Sequence, residues 1–263
     1  MPLKRSAPST AAFLRFVAST IAIAGVTACG PSPSPGPATP APSASAASAA
    51  PADHGHAAAH PDDHLEGAHA PLVHRFQTAE QWAREFDDPA RDQWQKPQEI
   101  VAAMKIESGM IVADLGAGTG YFEPWLSRAV GPTGSVLALD VEQDMVRYLN
   151  ERVQREHLGN VRPGLVATDD PKLAAGSVDR ILVVDVWHHI DARDAYAGKL
   201  RDALKSGGKV CVVDFKLEAT HGPPKHHRLT SEQIAHELGA AGLAVETIAS
   251  SLPEQYIVVG TRR

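Results

Sequence analysis

The sequence predicts an α/β fold, doubly wound around a mostly parallel sheet with helices on both faces. Three observations predict it. Short β-branched runs such as "MIVADL", "SVLALD" and "KVCVVDF" are largely continuous in apolar residues, as strands buried on both faces require. Stretches of helical period stand between them, "EQDMVRYLNERVQREH" and "ARDAYAGKLRDAL" being the clearest. The first apolar run ends in a glycine-rich turn, "DLGAGTG" at 114–120, at the carboxyl end of a strand, where such sheets bind ligands.

The 263 residues, 43% hydrophobic, allow one ordinary domain plus attachments. Residues 1–28 read as a signal peptide: Lys4, Arg5 and Arg15 precede an apolar run from Phe16 to Ala28 that is too short to span a bilayer comfortably. The "VTAC" ending at Cys29 resembles the lipobox of bacterial lipoproteins. That resemblance implies a lipidated Cys29 as the mature N-terminus and a membrane anchor. It also places the domain in the periplasm, with Gly30 favouring outer-membrane sorting. The plainer alternative is a hydrophobic leader without lipid.

Residues 29–71, rich in Pro, Ala, Ser and then His, hold almost nothing to bury and read as a disordered tether. His54, His56, His60, His64 and His69 beside Asp53, Asp62 and Asp63 have the chemistry to chelate Zn, Cu or Ni. No spacing there enforces a geometry, so a soluble spacer is the preferred reading and no metal site is assigned. With Cys29 lipidated, Cys211 has no partner for an intramolecular disulfide and reads as a buried strand residue.

The folded domain is expected over 72–263, opening with a helical cap at 72–105. Thr78 with Gln81 reads as a capping box for "AEQWAREF", and Pro97 suits the first position of "PQEIVAAMKI". Next come the strand "MIVADL", the helix "GYFEPWLSRAV", the strand "SVLALD" and the helix "EQDMVRYLNERVQREH". "VRPGLVA" and "VDRILVVDV" are strands, "ARDAYAGKLRDAL" a helix, and "KVCVVDF" a strand. Thr230 with Gln233 caps "EQIAHELGAAG", and "LAVETIAS" and "QYIVVGTR" are closing strands around a turn at Pro253.

The glycine turn discriminates among nucleotide ligands. A dinucleotide fingerprint needs glycine at its first, third and sixth positions, but after Gly116 and Gly118 the sixth position is Tyr121, and Gly120 comes one residue early. A phosphate loop needs Lys followed by Ser or Thr, which is absent. The remaining feature is Asp114, two residues ahead of the turn, where a negative group suits a cationic ligand. S-adenosylmethionine carries an ammonium and a sulfonium and no phosphate.

"DLGAGTG" resembles motif I of the class I S-adenosylmethionine-dependent methyltransferases. Asp140, closing "SVLALD", stands where that family places the acid that binds both ribose hydroxyls. In "ATDDPKL", Asp169 best fits the acid beside the adenine amino group, by its distance from Leu173. "SVDRILVVDVWHHI" resembles the fourth strand, and "LKSGGKVCVVDF" the family's "LkpGG" turn and fifth strand. The resemblance covers roughly residues 95 to 262 and is nearest the small-molecule and quinone methyltransferase-like group. It implies a Rossmann-like seven-stranded sheet of order 3-2-1-4-5-7-6 with the last strand antiparallel. For the cofactor S-adenosylmethionine it implies Asp114, Gly116, Ala117, Gly118, Gly120, Tyr121, Asp140, Val141, Thr168, Asp169 and Asp185. Plainer roles are compatible: the glycines permit a tight turn, Asp140 caps the next helix, Asp169 caps a loop turn, and Phe122, more than Tyr121, packs helix to sheet.

Asp185, His188 and His189, where the fourth strand ends, are the candidates for removing a proton from the methyl acceptor. On an extended chain the two imidazoles would point to opposite faces, so at most one would face the methyl group. A second stretch, "DFKLEATHGPPKHHRLT", holds Asp214, Lys216, His221, His226, His227 and Arg228, and Lys216 and Arg228 are candidates for an anionic substrate; a solvated loop is the default. Trp82, Phe86 and Trp94 are expected as an apolar lid, core packing being an equal alternative for Trp94.

The net charge of −6 and the lack of a basic, aromatic-interleaved stretch argue against nucleic acid and leave a small organic acceptor. A single cysteine in the domain disfavours arsenite-type acceptors. The leader points outward, whereas the cofactor is made in the cytoplasm. The alternative function is therefore a non-catalytic envelope lipoprotein that uses the fold to bind a ligand or metal, and a cytoplasmic domain is the alternative location. The sequence carries no signal for oligomeric state.

Overall fold

The computed structural model describes residues 78–263. The leader, Cys29, the His-rich tether and the first residues of the expected cap lie outside the described residues. Three short helices come first: α1 (Ala79–Phe86), α2 (Arg91–Gln95) and α3 (Pro97–Ala103). Next in the chain are β1 (Ile111–Leu115), α4 (Glu123–Val130), β2 (Ser135–Asp140), α5 (Gln143–Arg155), β3 (Val161–Leu165) and β4 (Val178–Val184). The chain ends with α6 (Arg193–Ala203), β5 (Leu204–Phe215), α7 (Ser231–Ala240), β6 (Ala244–Ile248) and β7 (Gln255–Thr261).

The sheet has seven strands in the order β3-β2-β1-β4-β5-β7-β6, as expected. The first five strands pair in parallel, and β7 runs antiparallel to both β5 and β6. The continuous apolar runs follow from burial on both faces. Ala113, Ile181, Val183, Val210 and Val212 face one core with Leu200, Ile234 and Leu238. Their neighbours Val112, Leu182, Cys211 and Val213 face the other with Ile100, Met104, Leu126 and Leu149. Pro163 lies in β3, an edge strand, where its missing N–H costs no central ladder bond. Burial pushes the Cys211 thiol up to about 12, leaving an inert packing residue.

Two local expectations need correction. Thr78 makes no capping bond, because its backbone is left-handed (φ 71°) and turns the hydroxyl away. The amide of Ala79 is capped instead by Asp144 Oδ2 of α5 at 2.7 Å, a partner 65 residues distant. The helix expected over 120–130 starts at Glu123, since Gly120 (φ +92°) still belongs to the turn. The box on α7 does form, with Gln233 N donating to Thr230 Oγ1 (3.2 Å) and Thr230 N to Gln233 Oε1 (2.8 Å).

Candidate active site

The strand order reverses at β1, which pairs in parallel with β2 on one side and β4 on the other, and doubly wound sheets place their ligands at the carboxyl ends of the strands at such a point. The turn after β1 is tied to β2: Gly116 N and Ala117 N donate to Leu139 O at 2.8 and 3.1 Å, and Gly118 N donates to Asp140 Oδ2 at 2.8 Å. Two of its glycines are required for different reasons. A Cβ on Gly116 would strike Val186 at 2.3 Å, so packing demands glycine there. Gly118 has φ +57°, and a Cβ there would meet nothing nearer than Phe86 at 3.7 Å. Its outer face is open to close backbone approach by a ligand.

Asp140 also accepts from Glu142 N at 2.9 Å through Oδ1, a local turn two residues long that leads into α5, whose N-cap is Glu142. Each carboxylate oxygen keeps lone pairs for further donors such as vicinal hydroxyls. Burial raises the Asp140 pKa, against which its backbone hydrogen bonds act. Beside it, Val141 and Leu165 are exposed apolar side chains, and Leu165 stands opposite Asp140 in the β2–β3 register. This is an apolar shelf next to a buried acid with acceptor capacity to spare. Thr168 and Asp169 lie in the turn after β3, closed by the Ala167–Asp170 bridge, with Asp169 O accepting from Lys199 Nζ.

Asp114, at the end of β1, is almost fully buried, and burial pushes its carboxyl up to about 7; Glu123 and Arg91 pull it down while Asp140 adds to the rise. Asp185, past the end of β4, has a left-handed backbone (φ 58°) that aims its carboxyl back at the cap. Gln255 Nε2 donates to it, Gln95 Nε2 reaches it at 3.5 Å, and Arg91 Nη2 lies 3.8 Å away. Burial raises Asp185 to about 7 against the pull of Arg91.

His188 and His189 do not lie on an extended chain. They occupy a 3-10 turn, Trp187–His189, with ring centroids 4.2 Å apart, so the expectation of opposite faces does not hold. The turn is anchored from below by Trp187 Nε1 donating to Glu237 at 2.7 Å. His188 Nδ1 meets Asp214 Oδ1 at 2.9 Å, with both side chains buried. Burial opposes the imidazolium, but the hydrogen bond and charge of Asp214 outweigh it, and the His188 pKa is raised.

The cap closes over the turn through polar contacts as well as through Phe86. Asp87 accepts from Thr119 Oγ1 (3.0 Å) and Arg152 Nη1 (2.7 Å), and Tyr121 OH donates to Asp92. The Arg91 guanidinium lies 4.1 Å from the centroid of the Tyr121 ring. Trp94 takes neither of the expected roles purely: half-buried, it stacks on His221 with ring planes 4° apart. Phe122 packs in the core, as expected.

Lys216 and Arg228, candidates for an anionic substrate with a solvated loop as the default, are both bonded to carbonyls of their surroundings. Lys216 Nζ is spent on the carbonyls of Leu252 (2.8 Å) and Pro253 (3.1 Å). The Arg228 fork donates to the carbonyls of Pro223, Ala219 and His221, and at longer range to those of Lys216 and Leu217. Both cations hold the loop after β5 rather than a ligand. The loop has no regular ladder to satisfy its carbonyls, so Arg228 does so.

Four residues at the site escape a reading of the sequence: Arg91, Gln95, Glu123 and Gln255. Arg91 Nε donates to Gln95 Oε1 (2.7 Å), and Gln95 Nε2 to Gln255 Oε1 (2.6 Å), a chain of donors ending on Asp185. A glutamine opening the apolar strand "QYIVVGT" and a glutamate three residues after Gly120 are the signals that could have found two of them. Arg91 and Gln95 offer none, because their partners are distant in sequence.

An open glycine face, an acid with acceptor capacity to spare, an apolar shelf and a second buried acid together fit S-adenosylmethionine. Residues 112–208 match the family model of a methyltransferase domain. Against the ubiquinone/menaquinone biosynthesis C-methyltransferase UbiE of Burkholderia vietnamiensis the chain is 31% identical over 117 residues, covering 44% of this chain and 47% of that protein. The chain thus spans about half the length of the curated relatives it matches. A solved S-adenosylmethionine-dependent methyltransferase from Aquifex aeolicus superposes with a TM-score of 0.66 at 26% identity, over 70% of this chain and 98% of that one. The [4+2]-cyclase SpnF shares the fold at 14% identity and a TM-score of 0.55, over 64% of this chain and 80% of that one. These likenesses support S-adenosylmethionine as the cofactor.

Proposed function

We propose that the protein is an S-adenosylmethionine-dependent methyltransferase acting on a small-molecule acceptor. The observation that carries this reading is the Gly118–Asp140 arrangement, a glycine with an open face bonded to a buried acid with acceptor capacity to spare. The bound cofactor supplies an activated methyl group on a sulfonium. The chain's task is then to align the acceptor and, where needed, take its proton. Asp140 holds hydroxyls, Val141 offers an apolar surface, and Asp114 answers positive charge. Asp185, His188 and His189, at and after the end of β4, are the candidates for proton removal, His188 with its Nδ1 already engaged by Asp214. The likeness to the quinone C-methyltransferase supports a small organic acceptor.

The leader and "VTAC" support a second reading, an envelope lipoprotein anchored through Cys29 whose domain binds its ligand without turnover. The fold by itself does not fix methyl transfer, since SpnF, which shares it, is described as a cyclase. Calorimetry with S-adenosylmethionine, followed by incubation of protein and labelled cofactor with envelope and cytosolic extracts, separates the two. Tight binding with a methylated product supports the enzyme. Tight binding without any product favours the binding protein, and absence of binding rejects the enzyme and leaves a module for another ligand or a metal.

A further inference from the structure

Resting on the reading of this site as an S-adenosylmethionine pocket, we infer that Asp114 and Glu123 share one proton before the cofactor docks and release it when the cofactor's ammonium arrives. Glu123 heads α4 directly below the glycine turn and is fully buried. Neither of its carboxyl oxygens has a hydrogen-bond partner among the described residues. The group it faces is the carboxyl of Asp114, itself buried at the end of β1. Two ionised carboxylates only accept, so they can partner each other only if one of them carries a proton.

The surrounding charges do not replace that proton. Arg152 of α5 is the cation that acts on Glu123 through its charge, but it makes no hydrogen bond to it: its Nη1 is held by Asp87 and by Thr119 O, and its Nε, without a hydrogen bond, lies 2.9 Å from Glu156 as an ion pair. Arg91 of α2 faces Asp114, yet its donors go to Gln95, to Phe86 O and toward Asp185. Asp140 of β2 adds negative charge on the Asp114 side. The amide at the head of α4 is the remaining favourable group for Glu123. Burial therefore raises both carboxyl groups, that of Glu123 well above its ordinary range. An ammonium brings a full charge and several donors. Once it docks, the carboxyl O–H bond breaks, the proton passes to solvent, and the freed carboxylate is compensated by the ligand. The pair thus makes cofactor affinity depend on pH and tunes the site to a cationic ligand.

The test is calorimetry of S-adenosylmethionine with the full-length protein at about pH 6.5, in buffers of different ionisation heat. At that pH the ligand's own amine, titrating near about 8, stays charged. The parent should release a fraction approaching one proton, and its Kd should tighten with rising pH by up to about tenfold per unit. Glu123→Gln should still bind, with neither proton release nor that slope. Binding by the parent without proton release would overturn the inference and leave the cofactor reading standing. The same release from Glu123→Gln would overturn it too. No binding at any pH would reject the cofactor reading itself, and this inference with it. Should Glu123→Gln fail to fold, Asp185→Asn is the second variant, because Asp185 is the other carboxyl of the site raised to about 7: release that persists in it supports the Asp114–Glu123 pair, and release that disappears with it overturns the inference.

Discussion

His188 Nδ1 lies 2.9 Å from Asp214 Oδ1 and 3.0 Å from Oδ2, joining the turn after β4 to the end of β5 inside the protein. A carboxylate there fixes Nδ1 as the donor and leaves Nε2 as the acceptor of the neutral ring. The raised His188 pKa makes this contact measurable through pH. A group whose pKa is raised by folding contributes stability that is complete below its unfolded value, about 6.5 for histidine, and fades as pH climbs through the folded value. Asp214→Asn should therefore cost about 1–3 kcal/mol in mild acid and less in alkali. Urea unfolding on either side of neutrality checks this, and an equal loss at both would mean that the pair is not charged.

The same contact separates the two histidines. His188→Ala strands a buried carboxylate and should mainly lower Tm, whereas His189→Ala should lower kcat while leaving cofactor affinity nearly intact, if His189 serves the transition state. Thermal unfolding and turnover of both variants decide. Loss of turnover in His188→Ala with unchanged Tm would reverse the assignment.

In the turn, Asp140→Ala should weaken S-adenosylmethionine binding by about 1.5–3 kcal/mol, and Gly118→Val should abolish it, since a branched side chain fills the open face in a left-handed backbone. Because Asp140 also accepts from two amides, Asp140→Asn is the companion variant that keeps part of the turn. Parental affinity in both Asp140→Ala and Gly118→Val would move the pocket elsewhere.

Arg228 tests whether the loop after β5 is held from within. Arg228→Lys keeps the charge but cannot reproduce a planar fork on several carbonyls, so amide exchange over 216–228 should quicken and stability should fall by about 1–3 kcal/mol. An undisturbed exchange pattern in this variant would restore Arg228 as a candidate ligand for anions.

Location is tested at Cys29. Cys29→Ala should release the protein from the membrane fraction, and the parent's mature N-terminus should begin at a lipid-modified cysteine. An unprocessed Met1, or fractionation unchanged by the substitution, would remove the anchor from the account.

Much of the fold was legible because burial on both faces leaves a local trace. "MIVADL", "SVLALD" and "VDRILVVDV" are apolar whichever way their side chains point, and each became a strand near its expected bounds. The Thr230–Gln233 box was legible for the same reason, since both partners lie within one turn of chain. Thr78 had the same spacing and failed, because a partner on α5 took its place.

By itself, the sequence determined what short-range chemistry can specify: the alternation of strands and helices, the glycine turn, and the acids standing before and after it. Tertiary structure alone decided which charges serve a ligand and which serve the chain. Lys216 and Arg228 were spent on carbonyls, His188 was claimed by Asp214, and Glu123 was set against Asp114. Their partners lie on other elements, and whether a buried polar group is paired or stranded depends on what folding brings within about 3 Å of it.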